Sequence, residues 1–322
     1  MTQPRLVVPG AMQYITSRAT NRSFRFVPNK KVRKAIHFAL AVVSERYRKA
    51  NRLLLHEFVF MSNHYHLLLT DVAGCYPKFI GELNMLISRE LNSIRGISGT
   101  NFEGYDQQQI ADDERLIDHS VYTGANPVAA FLVATAREWP GVSSVGMRYG
   151  KAHVVKKPKL GMWAGKDAHK DRAASRRSGR AAYAGRSRLP ETAELELVRP
   201  KVRLDLSDTE LRDLILQRLA DREEELAVQR AREKIVVKGR QAVVQAHYLS
   251  MPRTEEMFGR TPTVSASSSK DRVTLLEIRK AFIEAYRAAR IAFCAGVRDV
   301  LFPRGTWQMR FRSGVHCEPC PG

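Results

Sequence analysis

Asn63-His64-Tyr65-His66 places two imidazoles two residues apart, and Tyr122 stands four residues before Asn126. On a strand, side chains alternate, so His64 and His66 project from one face and can share a divalent cation while Tyr65 points the other way. On a helix, an i, i+4 spacing stacks the phenol of Tyr122 and the carboxamide of Asn126 on one face. A divalent ion held by His64, His66 and the amide oxygen of Asn126, with positions left open, would bind and polarise a phosphodiester. Tyr122 could then attack phosphorus and form a phosphotyrosine. Each residue also has an ordinary reading. His-x-His occurs as a surface or core pair, Tyr122 suits a helix tyrosine with a packed ring and a wet hydroxyl, and Asn126 suits a helix end before Pro127.

The elements that must carry these residues follow from apolar spacing. Residues 11–17 read as a strand, and Lys31 to Lys49, with Val32, Ile36, Ala39, Leu40, Val43 and Tyr47 on one stripe, as an amphipathic helix. Residues 53–61 and 64–70 read as two strands joined by a tight Ser62-Asn63 connection, so the histidines open the second strand. Tyr76 to Ile94 reads as a helix. Residues 112–136 form a further helical stretch, with a break or kink expected at Asn126-Pro127 because proline lacks the amide donor. This order predicts a small α+β sandwich with its helices on one face.

The run Met61-Ser62-Asn63-His64-Tyr65-His66-Leu67-Leu68-Leu69, followed by Tyr122-Thr123-Gly124-Ala125-Asn126-Pro127-Val128, resembles the paired signature of single-tyrosine HUH transposases, especially the REP-associated tyrosine transposases. Leu91-Asn92 and Glu138-Trp139-Pro140 with Ser143-Ser144 add to the similarity, which covers residues ~10 to ~150. The resemblance implies a ferredoxin-like fold, commonly dimeric, acting on single-stranded or hairpin DNA. It implies His64 and His66 as metal ligands, Asn126 as the third, Mg²⁺ or Mn²⁺ as the ion, and Tyr122 as the nucleophile. The products would be a 5′-phosphotyrosine and a free 3′-hydroxyl, and strand transfer would reverse the step without ATP. Where family members carry an aromatic residue and Arg-Tyr-Lys-Ser, this chain has Phe102-Glu103-Gly104-Tyr105-Asp106-Gln107. No general base is assigned: Asp118 and His119 read as surface residues.

Composition bounds the rest. The 322 residues carry 53 Lys+Arg against 33 Asp+Glu, a net charge of +20, and 44% are hydrophobic. Such a chain can build real cores, and its excess charge points to a polyanionic partner. No stretch reaches the ~18 to 20 apolar residues of a membrane span, and the first residues lack a signal-peptide pattern, so a cytoplasmic, nucleoid-associated protein is expected. Cys75, Cys294, Cys317 and Cys320 do not make a disulfide framework. Half of the net charge falls in residues 151–190, with 12 basic and 2 acidic residues. The expected organisation is a catalytic domain over 1–150, a flexible basic linker over 151–205 that touches phosphates or serves as a solvated tether, and a mostly helical module over 206–322.

In that last module, Ser207 and Glu210 form a capping-box signature opening a helix to about Arg232. Residues 234–249 fit a helix-turn-helix or any helical hairpin, and Leu275 to Ala295 an amphipathic helix with Ile278, Phe282, Tyr286, Ala289 and Phe293 facing a core. Residues 302–307 suggest a turn into a short strand. His316-Cys317-Glu318-Pro319-Cys320 has half the spacing of a zinc knuckle and no second cysteine pair, so no metal is assigned there. Three functions remain: a metal-dependent nicking and joining enzyme, a metal nuclease using water, and a non-catalytic nucleic-acid-binding protein on the same sandwich.

Overall fold

The computed structural model describes residues 3–164, 189–252 and 262–319. Its first half has the order β1 (Ala11–Ala19), α1 (Lys30–Lys49), β2 (Leu54–Phe60), β3 (His64–Asp71), α2 (Tyr76–Arg95) and β4 (Phe102–Ile110). The strands lie in the order β2-β3-β1-β4, all antiparallel, which is the ferredoxin-like split βαβ arrangement within an α+β fold. A two-residue strand, β7 (Val264–Ser265), joins the outer edge of β4 in parallel. In sequence, β4 does not read as a strand: Gln107-Gln108-Gln109 breaks the apolar alternation, and pairing with β1 along its length, and with β7 at its end, makes it one.

Helices cover both faces of the sheet, not one. Adjacent residues of β1 show this, because they point opposite ways. Ser17 accepts a hydrogen bond from Asn84 of α2, whereas Thr16 bonds His66, which meets Asn126 on α3 (Asp113–Ala129). The βαββαβ unit keeps α1 and α2 on one side, and α3 with α4 (Asp208–Arg232) closes the other. Asp112 caps α3, and Asp113 and Glu114 sit in its first turn, where carboxylates complement the helix dipole. The helix continues through Pro127 without the expected break. Proline falls in the last turn, so only one internal hydrogen bond is lost before the end at Ala129.

The two ends of the expected flexible linker are ordered. β5 (His153–Lys156) and β6 (Thr192–Leu195) pair antiparallel and pack on α1; residues 165–188, which hold most of the basic cluster, lie outside the described residues. Helix α1 needs that cover. Phe38, Ala41 and Val42 lie off its predicted stripe and are nonetheless buried, Phe38 edge-on to Trp163, and Arg48 pairs with Glu194 and Glu196.

The C-terminal stretch does not pack apart from the first half either. The Ser207–Glu210 capping box opens α4 as expected, and Leu211 and Ile215 join the main core. Residues 234–249 contain one six-residue helix, α5 (Arg240–Gln245), so the helix-turn-helix does not form; the preceding Val236 is 88% exposed, and Lys238 and Gly239 are tied to the carbonyls of Phe131 and Leu132. Helix α6 (Ser269–Cys294) starts earlier than predicted, at a Ser268 cap, and of its expected core face only Phe282 and Ala289 are buried. Instead of a strand, residues 302–307 make single bridges, Leu6 to Thr306 and Phe302 to Cys317, before α7 (Gln308–Ser313). Among the described residues no helix is long and apolar enough to cross a membrane.

Candidate active site

The β2–β3 hairpin brings His64 and His66 to the face that α3 covers, with Thr16 opposite His66 and Arg18 opposite His64 across the β1 pairing. Their rings lie 4.8 Å apart between centroids. The terminal amide of Asn126 reaches within 3.2 Å of His66 Nε2. Tyr122, one turn earlier on α3, sets its ring edge-on to His66 at 5.7 Å and is 53% exposed. All four residues singled out in the sequence therefore meet in one place.

The nitrogens that face away from this point are already engaged. His64 Nδ1 lies 2.8 Å from Asn63 Oδ1, and His66 Nδ1 lies 2.7 Å from the Tyr14 hydroxyl and 2.9 Å from Thr16 Oγ1. An Nδ1–H donating to those oxygens leaves each Nε2 with its lone pair, the tautomer that a metal-binding histidine needs. Burial keeps both rings neutral: it pulls His64 down to about 4, and pulls His66 well below the usual histidine range, helped by the neighbouring His64. A half-turn of the Asn126 amide presents its oxygen where the nitrogen is drawn. Two imidazole nitrogens and an amide oxygen fit a divalent ion that keeps open positions for oxygen ligands, and they suit the softer Mn²⁺ better than Mg²⁺, which prefers oxygen throughout.

Sequence reasoning passed over the residues that orient this set. Tyr14 and Thr16 read only as strand residues, because the register that places them beside His66 is a property of the sheet. The Tyr14 hydroxyl is pushed well above the usual tyrosine range by burial, and its side-chain hydrogen bonds reach Thr123 and Thr16. His119 is half-buried against Tyr14 at 4.3 Å, with Nε2 3.0 Å from Ser265 Oγ, and burial lowers it to about 4. It is thus not the surface residue the sequence indicated. Asp118 is exposed and pairs with Arg115. Gly124 has a spatial reason: a Cβ there would meet Leu219 of α4 at 3.0 Å, so its absence lets the two helices close on each other.

Glu138 to Ser144, part of the motif similarity, forms a clasp along the edge of β2. Phe60 N donates to Val142 O, Ser144 N to Phe58 O, and Trp139 Nε1 to Phe60 O, all within 3.1 Å, which covers an otherwise open strand edge. Behind it, Glu57 of β2 and Arg212 of α4 form a buried ion pair. Arg212 also donates to the carbonyls of Met147 and Ser144 at 2.9 Å each, and Ser144 Oγ stands between Glu57 and the Phe58 amide. A cavity of about 630 Å³ between Arg52, Gly74 and Trp307 shares no lining residue with the histidine cluster, in which His66 and Asn126 are buried and Tyr122 is exposed.

No protein-family model matches the chain, and no curated protein is similar to it in sequence. Among solved structures, the chain is similar to a REP-associated tyrosine transposase bound to a REP hairpin. The identity is 17%, the TM-score 0.37, and the likeness covers 45% of this chain and 82% of that one.

Proposed function

We propose that the chain nicks and rejoins single-stranded or hairpin DNA through a covalent bond between Tyr122 and a 5′-phosphate. The observation that supports this reading is the convergence of two neutral imidazole Nε2 atoms and the Asn126 amide beside an exposed tyrosine. Bound there, Mg²⁺ or Mn²⁺ would supply charge to polarise the phosphoryl oxygens. His64, His66 and Asn126 would hold that ion, and Tyr14, Thr16 and Asn63 hold the rings in the required tautomer. Tyr122 Oη forms a bond to phosphorus as the bond to the 3′-oxygen breaks; the phenol loses its proton to water, and the released 3′-oxygen gains one. Attack by that 3′-hydroxyl on the phosphotyrosine rejoins the strand, and the covalent bond conserves the energy.

The test is incubation of the full chain with end-labelled single-stranded hairpin DNA and Mn²⁺ or Mg²⁺, followed by a denaturing gel and peptide mapping. A metal-dependent adduct on Tyr122, absent from Tyr122→Phe and from His64→Ala/His66→Ala, is the expected result. Cleavage that persists in Tyr122→Phe would instead identify water as the nucleophile, and binding without cleavage or adduct would identify a binding protein.

A further inference from the structure

A second cluster, of cationic and aromatic residues, lies next to the turn of the histidine hairpin. Arg25 stands between two backbone ties: Phe24 N donates to Ser250 O, and Phe26 N donates to Ser62 O, each at 2.8 Å. The first tie holds the 247–250 turn against this segment, and the second reaches the Ser62-Asn63 turn that leads into His64. Here two guanidiniums gather around one ring. The Arg95 guanidinium lies 4.5 Å from the centre of Tyr248 and that of Arg25 lies 6.0 Å from it, while Lys238 Nζ lies 5.4 Å from the neighbouring Phe24 ring.

Among the described residues no carboxylate pairs with Arg25, Arg95 or Lys238. Arg95 Nη2 is occupied by Arg25 O at 2.5 Å and Arg25 Nε by Ser23 Oγ at 3.0 Å, but Arg95 Nη1 is buried without a partner. Burial, then the neighbouring Arg25, lowers Arg95 to about 10. Like charges held together at a protein surface repel unless an anion lies between them, and guanidiniums match a phosphate with paired donors. The tyrosine face stabilises the cations and fixes their geometry in advance of that anion.

We infer that Arg25 and Arg95, held side by side by Tyr248, are an anchor for a phosphodiester of single-stranded DNA, beside the His64 hairpin and separate from the residues that hold the metal. This rests on the reading of the chain as one that acts on single-stranded DNA. Arg25 contacts phosphate through its terminal nitrogens, Arg95 adds its charge from beneath while it holds the Arg25 carbonyl, and Tyr248 is a positioning residue.

The experiment is fluorescence anisotropy of a labelled single-stranded deoxythymidine oligomer with the full chain in EDTA, over a range of salt concentrations. Arg25→Gln and Arg95→Gln are each expected to flatten the slope of log affinity against log salt by about 0.7, and so to weaken binding about five-fold at ~0.1 M salt. Tyr248→Leu should weaken binding with both arginines present, and Tyr248→Phe should restore it, because the ring and not the hydroxyl holds the guanidiniums. The Tyr248 pair also guards against misfolding of an arginine variant, with thermal melts run alongside. Wild-type slope and affinity in both arginine variants, no loss in Tyr248→Leu, equal loss in Tyr248→Phe and Tyr248→Leu, no binding by wild type, or tighter binding of a uridine oligomer would each overturn the inference. The adduct assay fails independently: these effects on binding without any adduct would refute the tyrosine chemistry and keep the anchor.

Discussion

Two polar clusters lie on neighbouring strands and differ in one respect. In the Glu57–Arg212–Ser144 cluster the carboxylate, the guanidinium and the hydroxyl are buried and bonded to one another or to carbonyls, and nothing faces solvent. In the His64–His66–Asn126 cluster each ring is fixed through Nδ1 while Nε2 is turned to a shared point beside an exposed phenol. A closed cluster does structural work, here joining α4 to β2. The open cluster is ordered through Nδ1, and its inner contact, His66 Nε2 to the Asn126 amide at 3.2 Å, joins neutral groups that a ligand could replace. The same contrast separates two buried histidines. His56 is tied to a backbone carbonyl and a strand hydroxyl, Nδ1 to Val198 O at 2.6 Å and Nε2 to Thr70 Oγ1 at 2.8 Å, whereas His66 Nε2 meets a longer contact, 3.2 Å, to the side-chain amide of Asn126 beside the exposed Tyr122.

Variants at each cluster should break in different assays. Tyr122→Phe is expected to abolish the covalent adduct while the melting temperature stays put, since the side chain is half-exposed and its hydroxyl holds no structure; an adduct that survives on a denaturing gel would remove the open cluster's assigned role. Arg212→Ala should do the reverse. It leaves a buried carboxylate unpaired and should cost about 3–5 kcal/mol in chemical denaturation, and Glu57→Leu/Arg212→Leu should recover most of that loss.

The histidine contrast gives a pH test. Burial lowers His56 to about 4 from its ordinary 6.5, so the unfolded chain binds the proton more readily. The contribution of neutral His56 is complete above pH ~6.5 and is lost as pH falls toward 4, by about 3 kcal/mol in all; His56→Gln should show a shallower fall in denaturation midpoints across that window. The smallest expected effect is at Tyr14. Tyr14→Phe removes one partner of His66 Nδ1 and should weaken Mn²⁺ binding about 10- to 100-fold by calorimetry without unfolding the chain; unchanged affinity would mean that Thr16 alone orients the ring.

The choice of the four residues as a site came from the resemblance to single-tyrosine transposases, but the placement of each pair was legible because each half is local: His-x-His on a strand needs only the alternation of side chains, and Tyr122 with Asn126 only the helical pitch. The strands and helices up to residue 95 were legible for the same reason, and so was the Ser207 cap of α4. What escaped was held from a distance. The polar strand β4 exists through its pairing with β1, the ordered ends of the supposed linker exist through α1, and the six-residue α5 replaces a longer hairpin because little covers its flanks. One signal was available and unused. Ala35-Ile36-His37-Phe38-Ala39-Leu40-Ala41-Val42-Val43 is apolar nearly all round the helix, which predicts cover on more than one side.

The sequence by itself determined the residue types, the period of each long element, the strong positive charge and the spacing within each half of the candidate site, since all of these depend on neighbours in the chain. Only the tertiary structure decided that the two halves meet, that Tyr14 and Thr16 turn His66 Nε2 toward Asn126, and that Arg25, Arg95 and Tyr248 gather beside the hairpin. Those arrangements depend on strand register and on contacts between residues far apart in sequence, and register is set by the sum of burial over the whole sheet, not by any one residue's preference.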